Sequence, residues 1–66
     1  MDHIRDIYTT MCRRQSKETG RDVTLTVQHA DRSVERIVFR DGEFYGASRV
    51  CDDPTWSATA DEYSID

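Results

Sequence analysis

Apolar residues recur at helical spacing through the first part of the chain. Ile4, Ile7, Tyr8, Met11, Cys12 and Gln15 fall on one face at the i, i+3, i+4, i+7, i+8 and i+11 steps. Arg5, Asp6, Thr9, Thr10, Arg13, Arg14 and Lys17 fall outside that face. Asp2 is the expected N-cap, and Asp6 sits near the positive end of the helix dipole. Arg13, Arg14 and Lys17 crowd the last turns, and Gly20 supplies the left-handed stop. The spacing therefore predicts a helix over residues 3–19, with Ile7 and Met11 buried and Thr10 and Arg14 exposed.

From Val23 the period changes to two. Val23-Thr24-Leu25-Thr26-Val27-Gln28 is rich in β-branched residues and places Val23, Leu25 and Val27 on one side of a strand. Ala30-Asp31-Arg32-Ser33 reads as a turn, Val34 to Arg40 as a second strand and Glu43 to Val50 as a third. Asp41-Gly42 between the last two is a hairpin signal, because a type I′ turn needs positive φ at both central positions. A two-residue loop sets Arg40 opposite Glu43, Phe39 opposite Phe44, Val38 opposite Tyr45 and Ile37 opposite Gly46. Ile37, Phe39 and Phe44 then face the helix, which makes Phe44 a core ring. Gly46 is expected to leave room for a helix side chain. Arg36, Val38, Arg40, Glu43, Tyr45, Ala47 and Arg49 form the solvated face.

After Val50 the pattern weakens. Asp53-Pro54 can start a short helix with Trp56, Ala60 and Tyr63 on one side, and Thr59-Ala60-Asp61-Glu62 resembles a capping box one register later. Trp56 is expected to anchor this segment, with residues 61–66 fraying. The fold expected is α+β: an N-terminal helix (1–20) on a three-stranded antiparallel meander (22–50), followed by an acidic tail (51–66), all one small domain.

Charge sharpens that division. Residues 1–22 carry five basic and four acidic side chains, and residues 23–50 carry four of each. Residues 51–66 hold five acids and no Lys or Arg, which accounts for the net charge of −4. Such asymmetry concerns partners rather than fold. No stretch approaches the ~20 apolar residues of a membrane span, and the N-terminus lacks a signal-peptide pattern. A cytoplasmic protein is expected, and no membrane partner.

Little in the chain points to catalysis. His3, Cys12, His29 and Cys51 form no metal-ligand spacing, so no metal and no cofactor are expected. Cys12 lies on the apolar helix face as a small core residue, and both cysteines are expected to be free thiols. Neither histidine is close enough in sequence to activate a nucleophile. Gly20, Gly42 and Gly46 are accounted for by a cap, a turn and packing, and no phosphate loop is present. The chain is read as a non-enzyme. A nucleic-acid face built from Arg36, Arg40, Tyr45 and Arg49 is an alternative, although a pI near 5.0 opposes backbone binding. The acidic segment suggests the converse: Asp52, Asp53, Asp61, Glu62 and Asp66, with Trp56 or Tyr63 as an aromatic anchor, would contact a larger basic protein.

In size, acidity and element order the whole chain resembles the small phage-encoded anti-CRISPR inhibitors, with no shared motif and no residue role carried over. The resemblance implies a monomeric binding module that inhibits a nucleic-acid-handling complex by steric binding or DNA mimicry, inside a bacterial host. Antitoxin-like subunits that dock through an apolar helix face or a sheet edge share the same format.

Overall fold

The computed structural model describes residues 3–54, 56–57 and 61–66. Its elements are α1 (His3–Thr19), β1 (Val23–Gln28), β2 (Val34–Arg40), β3 (Glu43–Val50) and β4 (Glu62–Ile65). The helix and the first three strands lie where hydrophobic periodicity places them. Gly20 ends α1 at φ +69°, and its N–H donates to the Ser16 carbonyl at 3.0 Å. Asp41 and Gly42 both have positive φ, as a type I′ turn requires. The expected N-cap Asp2 lies outside the described residues.

The sheet has four antiparallel strands, not three, in the order β3-β2-β1-β4. The fourth comes from the segment expected to fray. Ile65 pairs with Leu25 and Tyr63 with Val27, which turns both side chains toward the helix. Asp66 and Thr24 exchange two backbone hydrogen bonds beyond the strand end, at 3.0 and 3.1 Å. No helix forms among the described residues after Val50. Thr59 and Ala60 of the expected capping box lie outside the described residues. Glu62–Ile65 is extended because alternation puts Tyr63 and Ile65 on the core side.

The hairpin register holds for two pairs and then shifts. Arg40 opposes Glu43 and Phe39 opposes Phe44, but a bulge follows, so Val38 faces Gly46 and Ile37 faces Ala47. One extra residue inverts every later side chain. Ala47 and Arg49 therefore leave the face shared by Arg36 and Arg40. Gly46 does not make room for a helix residue, since an added Cβ there would meet nothing within 4 Å.

The helix is turned relative to the expected face. Its buried or half-buried residues are Arg5, Tyr8, Thr9, Cys12 and Ser16, one position later than the apolar stripe, or about 100° around the axis. Ile7 and Met11, expected in the core, are 58% and 48% exposed, and Ile4 is 55% exposed. Polar contacts hold this orientation. Arg5 makes a two-pronged contact with Glu35 at 3.2 and 3.1 Å. The Gly42 N–H donates to the Ser16 hydroxyl at 3.0 Å, and Arg13 Nε donates to the Gly42 carbonyl at 3.0 Å.

Val23, Leu25, Val27, Ile37, Phe39 and Cys12 form the core, with Tyr8, Tyr63 and Ile65 packed against it. The Tyr8 and Tyr63 rings stack at 5.2 Å. A helix about 10 Å wide spans roughly two strands spaced about 4.8 Å apart. Here α1 lies over β1 and its neighbours β2 and β4, and the inner side of β3 is left uncovered. Phe44 is accordingly 63% exposed rather than a core ring.

Candidate functional site

The residues expected to contact a partner follow β3 and pass around the β1–β2 turn. Asp52 pairs with Arg32 at 3.4 Å, both exposed. Asp53 is only 8% exposed and lies 3.5 Å from Arg36. The Trp56 indole donates to the His29 carbonyl at 2.7 Å, and its ring carries the Arg32 guanidinium 4.8 Å from the centroid. Asp61 accepts the Ala30 N–H at 2.9 Å and lies 3.9 Å from His29 Nδ1. Glu62 begins β4 opposite Gln28, exposed. Asp66 lies four residues further along, about 13 Å away at strand rise. The sheet thus groups Asp52, Trp56 and Asp61 on the β1–β2 turn, sets Asp53 beside Arg36 of β2, and separates Asp66 from them.

The alternative nucleic-acid face is divided and neutralised. Arg40 donates two hydrogen bonds to Asp22 at 2.9 and 2.8 Å and lies 3.9 Å over the Tyr45 ring. That pairing holds the Asp22 carboxyl below its ordinary range. Arg49 donates to Asp31 at 3.1 Å and to the Ser33 hydroxyl at 3.0 Å. Hydrogen bonds from the Ser33 hydroxyl and N–H are the main cause of the lowered Asp31 acidity range. With Arg36 beside Asp53, every arginine of that group has a carboxylate neighbour. Such a surface carries little net positive charge for a phosphate backbone.

Around α1 the polar and apolar sides have exchanged their usual places. Beneath the helix, Arg5 lowers the Glu35 carboxyl from its ordinary range, with His29 Nε2 at 3.3 Å as a second partner. The Cys12 thiol is fully buried and pushed up by desolvation, so it stays protonated and a poor nucleophile. Cys51 is a free, exposed thiol. Above the helix, Ile4, Ile7 and Met11 form an outward stripe bordered by His3, Asp6, Thr10 and Arg14. Among the described residues no three metal-ligating side chains converge, and no helix is long and apolar enough to cross a membrane.

A second apolar surface lies on the other flank of α1. Arg5, Thr9 and Arg13 form one wall of a groove of about 450 Å³, Glu35, Ile37 and Phe39 its floor, and Phe44 and Ala47 its far side. Sequence reasoning finds these residues but assigns them elsewhere. The stripe reads as core because it is the most apolar side of the helix. The signal against that reading is Glu35, a charge on the core side of β2 that calls for a cation such as Arg5 beneath α1. No family model, curated protein or solved structure matches this chain.

Proposed function

We propose that this protein is a small non-enzymatic binding module that acts sterically, by covering a surface of a larger protein through the outer face of α1. The observation that carries this reading is the orientation of the helix. Three large aliphatic side chains point to solvent while Arg5, Thr9 and Ser16 occupy the side facing the sheet. Scattered exposed apolar residues are ordinary, but Ile4, Ile7 and Met11 make one contiguous stripe on a rigid element. Turning α1 by one residue would bury them, at the loss of the Arg5–Glu35 and Ser16–Gly42 contacts. An amphipathic helix face of this spacing suits a hydrophobic groove on a partner.

An inhibitor of a nucleic-acid-handling complex, the role implied by the likeness to phage-encoded inhibitors, fits this steric mode. Charge mimicry by the C-terminal carboxylates is less favoured, because Asp52, Asp53 and Asp61 are occupied by contacts within the chain. The test compares proteins recovered from host lysate by the parent, by Ile7→Asp with Met11→Asp, and by Asp52→Asn with Asp61→Asn. A partner kept by the parent and the amide variant but lost by the stripe variant supports the reading. Loss only with the amide variant would return the contact to the carboxylates. Both stripe positions are exposed, so the Asp variants should melt within a few degrees of the parent.

A further inference from the structure

We infer that β3 and the groove beside it accept an extended segment of a partner protein as a fifth strand, with an apolar side chain and a carboxylate on its inner face. Three observations converge on this occupant. First, β3 is an eight-residue edge strand in which every residue but Gly46 is exposed, and its two charges, Glu43 and Arg49, leave five uncharged residues between them. An edge of that length carries unpaired backbone donors and acceptors, and native proteins usually blunt it. Its one interruption, the bulge near Tyr45, lies at the hairpin end and leaves residues 46–50 regular.

Second, the helix stops short of β3. An added strand would place alternate side chains on the helix side, just outside Phe44 and Ala47, from where large ones lean over that wall of the groove toward Ile37 and Phe39. Toward the hairpin the groove is lined by Arg13, which bonds the Gly42 carbonyl, while the Gly42 N–H donates to Ser16. Addition of an extended segment to an exposed sheet edge, with pockets for its alternate side chains, is a general mode of peptide recognition.

Third, the charge of the rim selects the segment. Arg5 is matched by Glu35, whereas Arg13 is engaged only through Nε with the Gly42 carbonyl and has no carboxylate partner among the described residues. A carboxylate two or four residues from the apolar side chain would reach the remaining Arg13 donors as a charge-assisted bond. A second copy of this chain is a poorer occupant. A paired β3 would present Phe44, Ala47 and Arg49 on the helix side, which supplies apolar side chains but a cation, not a carboxylate, for Arg13.

This surface lies roughly opposite the Ile4–Ile7–Met11 stripe around the helix axis, so the two can be tested separately. The probe is a displayed library of random twelve-residue peptides selected against the intact protein. Enriched peptides should alternate, with large apolar residues and an Asp or Glu at i, i+2 or i+4. A synthetic representative should shift the amide resonances of residues 46–50 and of Arg13. Arg13→Glu should weaken it at least tenfold and favour the same peptide with Lys in place of the acid. Ala47→Arg, at an exposed position, should abolish binding with the spectrum otherwise unchanged, while Met11→Asp should leave the affinity within twofold. Methylating alternate peptide nitrogens should abolish binding in one phase and spare it in the other. The inference is overturned by no enrichment, by equal affinity for acidic and basic peptides, by shifts confined to Ile4, Ile7 and Met11, or by sedimentation of a dimer joined through β3.

Discussion

β4 is four residues long and β3 eight, and the shorter edge contributes more to the fold. In β4 the inward side chains Tyr63 and Ile65 both pack on the core, and Tyr63 stacks on Tyr8. In β3 the inward side chains Phe44 and Ala47 reach no helix residue closely enough to be covered. The difference is one of helix placement. Once β4 joins β1, the single helix centres over β1 and covers one edge at the expense of the other. β4 also begins and ends beside acids, Glu62 and Asp66, a device that discourages further pairing. β3 has its bulge and two charges, Glu43 and Arg49, with five uncharged residues between them. An edge that is short, charged and packed serves stability, whereas the longer β3 edge leaves Phe44 and Ala47 exposed.

Tyr63→Ala should produce the largest effect. It removes a half-buried stacked ring from the strand that completes the core, so we expect a loss of about 2–3 kcal/mol, below the cost of a fully buried ring. For a chain of this size that is a large share of total stability. Urea unfolding measures it. A loss under about 0.5 kcal/mol, the range of a surface site, would mean that β4 is not part of the cooperative unit.

The next effect lies beneath the helix. Glu35 has its acidity range lowered mainly by Arg5, and secondarily by His29. A carboxyl whose folded pKa is depressed stabilises the fold above its unfolded pKa, near 4.5, and that contribution disappears as pH falls through the lower folded value. Glu35→Gln should cost about 1–2 kcal/mol at pH 7, reduced by the partial exposure of Arg5. Below the folded pKa the parent and variant should converge. Parallel melting curves between pH 3 and 7 would instead assign the pair no net role. Such an outcome would also leave the rotation of α1 to the Ser16–Gly42, Arg13–Gly42 and Tyr8–Tyr63 contacts.

Trp56→Phe is expected to be milder, about 1 kcal/mol, because the ring is retained while the bond to the His29 carbonyl is lost. Chemical denaturation with fluorescence of the parent as reference would detect it. No change at all would detach the β3–β4 connection from the β1–β2 turn. Phe44→Ala closes the series. Its ring is exposed, and the change should stay within about 0.5 kcal/mol in unfolding experiments, in contrast to Tyr63→Ala. A cost near the ~3 kcal/mol of a buried ring would show the helix covering both edges in solution and would close the groove.

Local chemistry made much of this fold legible. The helix over residues 3–19, the strands over 23–28, 34–40 and 43–50, and the Asp41-Gly42 turn are all set by short-range spacing, β-branching and positive φ. β4 was not legible, because four residues within a Ser- and Thr-rich acidic stretch carry too little period to distinguish strand from helix. Its identity depends on Leu25 and Val27, which lie far back in the chain. The bulge was equally hidden, since no side-chain pattern distinguishes Tyr45 as an extra residue.

The candidate surfaces show the division most clearly. Sequence alone identified Ile4, Ile7 and Met11 as part of one stripe, Arg5 and Thr9 as lying outside it, and Phe39 with Phe44 as a cross-strand pair. Periodicity defines which residues share a face, but it contains no information on which face turns inward when two are available. That choice was made by long-range contacts: Glu35 drawing Arg5 under the helix, Gly42 bonding Ser16, and β4 adding Tyr63 beneath Tyr8. Burial is decided by the sum of such contacts. For this reason the apolar stripe and the Phe44 groove became surfaces only in the tertiary structure.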